Sequence, residues 1–426
     1  MGMRNSSKLK VQSSKLGRGV LCVALVCLFA TAQAQVVTLD EVLQTIDQRS
    51  AMLQEYDQQA KALDAYAGGA KSWMAPMVGA GTFMTPYPGQ MVDHERDKGS
   101  WMFSVEQQIT NPAKLNANRD YLQSKAAVVT QNRAQRYNEL RAQARTLYYE
   151  WLVLEEKKNV LREGEEIVTL MLKIARLRYP YNQGNLGDIY KAEGRLEEIR
   201  NMQAMNEGEI DSKRYALEAL MNRPAASAWQ IDTASVVRFD AQMATDTSAL
   251  RNRRSDVQRI EKNIAVMQLS QRMQQVQRKP DFRLRFDHMQ PIGDMPSQFT
   301  AMAMVSIPIA PWASRMYRSE VRGMSYDIEA MKREKEALII EARGMLAGMA
   351  ARISRMRQQL EGYDQRILPA LRKSYETRML AYEENREELP MVIDAWETVN
   401  MAEMERLEKK EAYYLMIVAY DKEAER

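Results

Sequence analysis

The sequence predicts a mostly helical chain with a small β part, built as two tandem repeats of helix, strand, strand, long helix and helix. Three observations carry this expectation. Apolar residues recur at alternating four- and three-residue steps over more than five heptads, and they do so twice. Four short segments alternate apolar with polar side chains, in two pairs. Two long helical runs break at similar places, Tyr181-Asn-Gln-Gly184 and Asn385-Arg-Glu-Glu-Leu-Pro390.

The first thirty-four residues read as an export leader. Lys8, Lys10, Lys15 and Arg18 precede the short apolar run Gly19 to Ala30, and Ala32-Gln33-Ala34 gives the small-x-small pattern of a signal-peptidase site. The expected organisation is therefore a signal peptide over 1–34 and a working chain over 35–426. Within it, repeat one spans about 35–224, a connector about 225–250 and repeat two about 251–426. Both cysteines, Cys22 and Cys27, fall in the leader, so the remainder has neither disulfide nor thiolate metal site. Val26 is not the small residue that a lipidated cysteine requires. No later stretch is long and apolar enough for a transmembrane helix. The net charge of +4 is too small to imply a nucleic-acid partner, and the two signs are interleaved as on solvated helix faces.

Repeat one opens with Thr38 as N-cap and Glu41 at the capping-box position, and helical pattern continues to about Ala70. The Gly-, Thr- and Pro-rich stretch from Ala75 to Gly89 follows. Ser100 to Ile109 then sets Trp101, Phe103, Val105 and Ile109 against Ser100, Ser104, Glu106 and Gln108. From about Pro112 to Tyr179 the seam Leu140, Ala144, Leu147, Trp151, Leu154, Leu161, Val168, Leu172 and Ala175 is interrupted only by Lys158 and Glu165. Such a helix, about 65 residues long, measures roughly 100 Å, far longer than a compact domain uses. After the turn at Tyr181–Gly184 a helix returns to about Met221. Repeat two has helix from about Ser255 to Arg278, then alternation over Asp281 to Met289 and over Phe299 to Ile309. A second rod follows, with a seam through Met324, Ile328, Met331, Lys335, Leu338, Ala342, Met345, Met349, Arg352, Met356, Gln359 and Tyr363.

The strands have one apolar face, while the other carries Glu106, Arg283, Arg285 and Asp287. That length and alternation suit a strand crossing a membrane in a barrel. Trp73, Trp101 and Trp312 near the strand ends fit an interfacial belt. A soluble sheet packed on helices also alternates; the leader and the rods favour the membrane. A barrel in lipid tolerates no free edge, because unpaired backbone groups there cost several kcal/mol each. The smallest barrels need about eight strands. One copy cannot close, so several copies must share a barrel.

The hairpin stretches Tyr181 to Gly194, "YNQGNLGDIYKAEG", and Tyr382 to Trp396, "YEENREELPMVIDAW", resemble the twice-repeated signature of the TolC-type outer-membrane efflux channels. "SVEQQITNPAKLNANR" and "MVSIPIAPWASRMYRSEV" resemble the family's strand-to-helix transitions, in detail nearest its heavy-metal branch. The resemblance covers nearly the whole chain beyond the leader. It implies a homotrimer with a twelve-stranded outer-membrane barrel continued by a helical tunnel across the periplasm of a Gram-negative cell. A periplasmic adaptor and an inner-membrane pump, of the resistance-nodulation-division type, would dock at the inner mouth. The implied function is a passive exit duct with no cofactor. The alternative reading is a periplasmic adaptor, which usually has one hairpin rather than two with strand pairs in each half.

The resemblance also assigns site residues. Tyr181, Gly184, Tyr190, Tyr382 and Asn385 fall on the hairpin-tip gate. Tyr382 matches the family's gate tyrosine, and Asn385 stands where the family has glycine, a position asparagine tolerates. Met391 and Asp394 match the paired acids of the aperture, so one acidic ring is kept and one becomes a thioether. With Glu387 and Glu388 nearby, rings of carboxylate would favour cations at the mouth. Thioethers bind Cu(I) and Ag(I), and Met302 and Met304 share a wet strand face. Most methionines of the long helices nevertheless fall on seams, where Met fills space, and no metal site is assigned. His94 and His288, the only histidines, have no nucleophile or ligand cluster beside them.

Overall fold

A computed structural model describes residues 35–425 apart from 226–228, 235–236 and 240–246. The leader and much of the connector lie outside the described residues. In chain order the elements are β1 (Gln35–Val37), α1 (Leu39–Arg49), α2 (Ala51–Gly69), β2 (Met77–Phe83), β3 (Ser100–Ile109), α3 (Pro112–Arg178), α4 (Leu186–Leu220), β4 (Trp229–Ile231), α5 (Thr247–Arg253), α6 (Ser255–Val276), β5 (Phe282–Pro291), β6 (Gln298–Val305), α7 (Pro311–Gly362), α8 (Leu368–Glu383) and α9 (Leu389–Ala424). A π-turn, Tyr363–Ile367, joins α7 to α8 without interrupting the rod.

The expected N-terminal helix divides at Ser50. There the backbone is extended, yet its groups stay bonded: Ser50 N–H donates to the Ile46 carbonyl, and the Ser50 carbonyl accepts from Leu53 and Gln54. Thr38 and Glu41 form the capping box as read.

β2, β3, β5 and β6 make one antiparallel sheet in that order, so the central β3–β5 pairing joins the two repeats. Register puts Val78 opposite Val105, Val105 opposite Phe286, and Phe286 opposite Ala301, all on one face. That face stays open: Trp101 is 53% and Phe299 69% exposed. The other face brings Arg283 to within 3.2 Å of Glu106 and Arg285 to within 3.0 Å of Asp287. β6 ends at Val305 rather than Ile309. Pro308 has no N–H to continue a ladder, and Ser306 makes the last bond, to the Asp281 carbonyl at 3.0 Å.

The sheet is tied to the rods at Asp281. Its carboxylate accepts from the Asn111 backbone at 2.9 Å and from Lys114 Nζ at 2.6 Å, just where α3 begins. Asn111 in turn caps α3 through Ala113 N–H and donates to the Pro280 carbonyl. Both repeats thus leave the sheet through one polar knot.

Along α3 the seam is buried as read from Leu140 to Ala175, except that Leu147 is half-buried and Tyr148 beside it takes the core position. Its two charged interruptions meet partners on α4: Lys158 with Glu207 at 3.3 Å and Glu165 with Arg200 at 3.0 Å. In α7 the expected seam departs from the observed one. Ile339, Leu346 and Ile353 are buried, whereas Met345, Arg352 and Gln359 are exposed. Ile328 and Ala342 are buried and Met349 and Met356 half-buried as expected, while at Leu338/Ile339, Met345/Leu346 and Arg352/Ile353 the second residue of each pair turns inward. Near the middle, β1 pairs in parallel with β4, a short sheet the sequence did not announce. Tyr148 accepts from Asp232 N–H at 3.1 Å there, beneath Trp151 and Trp229, whose rings meet edge-on at 5.0 Å.

Burial pushes the Tyr148 and Tyr414 phenols up to about 12, and Tyr149 upward as well. A raised folded value means the neutral phenol is preferred on folding. The corresponding stability is complete below about pH 10, the ordinary tyrosine value, and is lost as pH rises toward 12. Thermal midpoints should therefore hold to pH 9 and fall between pH 10 and 12, less steeply in Tyr148→Phe. A midpoint independent of pH over that window contradicts the assignment.

Candidate functional site

The two hairpins end side by side. In each, a helix closes by passing one residue through the left-handed region: Asn182 at φ 57° and Asn385 at φ 59°. Matching bonds seal both turns, Gln183 N–H to the Arg178 carbonyl and Arg386 N–H to the Ala381 carbonyl. Asn385 thus takes the conformation expected of it. In the first tip Asn182, and not Gly184, is the left-handed residue. The structural counterpart of Tyr382 is therefore Tyr179, and Tyr181 and Gly184 lie two positions out of the alignment that the Tyr-x-x-Gly spacing suggested. Both are exposed, as is Tyr190.

One apolar cluster joins the tips. Leu172, Ala175, Ile189 and Ala192 of the first pack with Tyr382, Leu389, Val392 and Trp396 of the second. At Gly164 of α3 a Cβ would meet the Trp396 ring at 3.2 Å, so a larger residue would require the ring to give by a few tenths of an ångström. Arg178 then clamps the second tip. Its guanidinium lies 4.4 Å from the Tyr382 ring centroid and donates to the carbonyls of Tyr382 at 2.8 Å and Glu383 at 3.0 Å. Burial raises the Tyr382 phenol above its ordinary value, and the Arg178 charge and hydrogen bond work against that rise. Between the tips lies a cleft of about 650 Å³, lined among others by Arg178, Asp188, Tyr382 and Glu388.

Further ion pairs cross the same boundary. Lys191 Nζ meets Asp394 Oδ1 at 2.8 Å, and Arg195 meets Glu397 at 2.6 Å. In every crossing the first tip supplies the cation. Glu387 is held within its own tip by Arg378 at 3.2 Å, while Glu388 is exposed and begins α9. Met391 is exposed one turn before Asp394. The sequence reading collected the acids of the second tip and missed Arg178, Lys191 and Arg195. Their clustering opposite those acids, in the matching hairpin, was the available signal.

At the far end of the molecule Trp73 and Trp312 stand by the helix side of the sheet, and Trp101 by its loop side. All three are exposed; Trp312 is 85% so. Among the described residues no helix is long and apolar enough to cross a membrane, and no group of three or more His, Cys, Asp or Glu is arranged to hold a metal.

No protein-family model and no curated protein matches the chain. Solved structures do. The outer-membrane channel OprN superposes with a TM-score of 0.71 at 14% identity, over 91% of this chain and 89% of that one. CusC, described for its folding and transmembrane channel formation, gives 0.71 at 13%, over 92% and 93%. The outer membrane protein VceC from Vibrio cholerae gives 0.67 at 12%, over 91% and 95%. The chain therefore has the fold of outer-membrane channels, as its resemblance to the TolC-type family implied, and not that of an adaptor.

Arg178→Ala removes a cation–π contact of about 0.5–2 kcal/mol and two charge-assisted hydrogen bonds of about 1.5–3 kcal/mol each. Amide exchange across 381–388 should accelerate at least about tenfold, with Arg178→Lys intermediate because lysine lacks the planar fork. Unchanged exchange in Arg178→Ala would remove the clamp from the account.

Proposed function

We propose that three copies of this chain form the outer-membrane exit duct of a tripartite efflux or export system in a Gram-negative cell. The observation that carries the proposal is the sheet: one face apolar and open, the other charged, both outer edges unpaired, the whole mounted on rods about 100 Å long. A ten-residue strand spans about 33 Å, or about 23 Å when tilted by about 45°, which suits the apolar band of a membrane barrel. Three sheets of this size give twelve strands, enough to enclose a lumen faced by Glu106, Arg283, Arg285 and Asp287.

The rods then become the wall of a tunnel through the periplasm, and the paired tips its inner mouth. The TolC-type resemblance supplies the partners: a periplasmic adaptor and an inner-membrane pump, of the resistance-nodulation-division type, meeting that mouth. The duct itself is passive, since no step of its work needs more than a wetted path and a gate. Trp73, Trp101 and Trp312 serve as interfacial anchors at the two membrane surfaces.

Protein purified from outer membranes in detergent should have the mass of a trimer and conduct ions across a planar lipid bilayer. Arg178→Ala should raise the fraction of time spent open. A monomeric protein that is silent in the bilayer contradicts the proposal.

A further inference from the structure

Lys191 and Asp394 hold equivalent places in the two hairpins. They lie 203 positions apart, the same spacing that separates the left-handed Asn182 from Asn385 and the first residue of α4, Leu186, from that of α9, Leu389. In a duplicated hairpin pair, equivalent residues on facing helices meet each other. Like charges there would repel. This chain instead carries opposite charges, and Lys191 Nζ lies 2.8 Å from Asp394 Oδ1. The pair is half-exposed, with side chains 38% and 58% accessible, and Asp394 faces an open groove it shares with Met391, Thr398 and Arg378, whose guanidinium is taken up by Glu387.

We propose that Lys191 is a selectivity-determining residue of the inner mouth: it masks the Asp394 carboxylate while the two tips are together and uncovers it when they part. The inference rests on the duct reading above and deepens it. In the conformation described, the other acids facing the tip divide into two groups. Glu387 is paired with Arg378, Glu384 with Arg386 and Glu397 with Arg195. Asp188, Glu383 and Glu388 take part in no ion pair among the described residues. Among the described residues, Asp394 is the one acid of the tips held from the opposite hairpin by a lysine; Glu397 is held from there by an arginine. A lysine is a compact point charge on a flexible stem, without the guanidinium fork that fixes Arg178 and Arg195. An exposed pair of this kind adds little to stability, so its consequence is electrostatic. The closed mouth presents Asp394 and Lys191 as a neutral couple. Once the tips separate, the carboxylate remains at the aperture and Lys191 withdraws with the first hairpin. Three uncovered carboxylates per assembly then add to the field of Glu383 and Glu388.

The test is the reversal potential of the full-length channel in a planar bilayer under a potassium chloride gradient, centred on about 0.1 M, where the screening length is about 10 Å. Lys191→Gln should raise the ratio of potassium to chloride permeability at least about threefold, since it leaves an unmasked charge in each of three copies. Asp394→Asn should lower that ratio by a similar factor. The charge-swapped double variant, Lys191→Asp with Asp394→Lys, restores a neutral couple when the tips meet and should lie between the two single variants. At about 1 M salt, where screening acts within about 3 Å, the differences should shrink. A wild-type channel that conducts while Lys191→Gln keeps its reversal potential overturns the mask and leaves the duct standing. So does a shift of both single variants in the same direction. A wild-type protein that does not conduct overturns the duct reading and the mask with it. Trimer mass and helical circular dichroism, measured on each variant, separate a change of selectivity from a failure to fold.

Discussion

Unpaired backbone at the edges of a sheet is the constraint from which the rest of this structure follows. Among the described residues β2 and β6 each leave one edge without a neighbouring strand, and the face they border is apolar and open. In water such a sheet would aggregate, and in lipid each free backbone group costs several kcal/mol. The duct proposed above removes both penalties by closure with further copies. Everything below the sheet is compatible with that arrangement. The Asp281 knot gathers both repeats into one exit point, and α3 and α7 leave it as rods too long for any compact core to use.

The rods are held by two kinds of contact. Along α3 the hairpin is sewn by a buried seam, and its charged interruptions are answered from α4. At the tips a buried apolar cluster persists, and polar contacts are added around it: Arg178 on Tyr382 and Glu383, Lys191 on Asp394, Arg195 on Glu397. A seam of Leu, Val and Trp can be separated only by exposing it to water. Exposed ion pairs exchange with water at low cost. Under the duct reading proposed above, the half-exposed pairs are the contacts of the tips that part at least cost.

Much of this was legible in the chain. The α3 seam, the strand alternation and both helix breaks are periodic signals set by the residues' own spacing. Periodicity failed where two adjacent residues competed for the core: along α7 the step rule selected Leu338, Met345 and Arg352, and burial selected Ile339, Leu346 and Ile353. The β1–β4 pair was hidden because three residues are too few to show alternation. At the tips, the Tyr-x-x-Gly spacing pointed to Gly184, whereas the turn uses Asn182, since asparagine also tolerates the left-handed backbone. The partners of Tyr382 and Asp394 lie about two hundred residues away. Only the packing of one hairpin on the other brings them together.

The central claim is that identical copies complete the barrel, β2 of one chain pairing with β6 of the next. Residues 35–426 contain no cysteine, so disulfide formation between cysteines introduced there reads that contact directly. Gly81→Cys on β2, where a Cβ meets nothing within 4 Å, would be combined in turn with cysteine at Thr300, Met302 or Met304, which lie on the same face of β6. Oxidation in outer membranes should yield a ladder ending at the mass of three chains for at least one combination, reversed by reductant. A product that never exceeds one chain, in every combination, would contradict the claim.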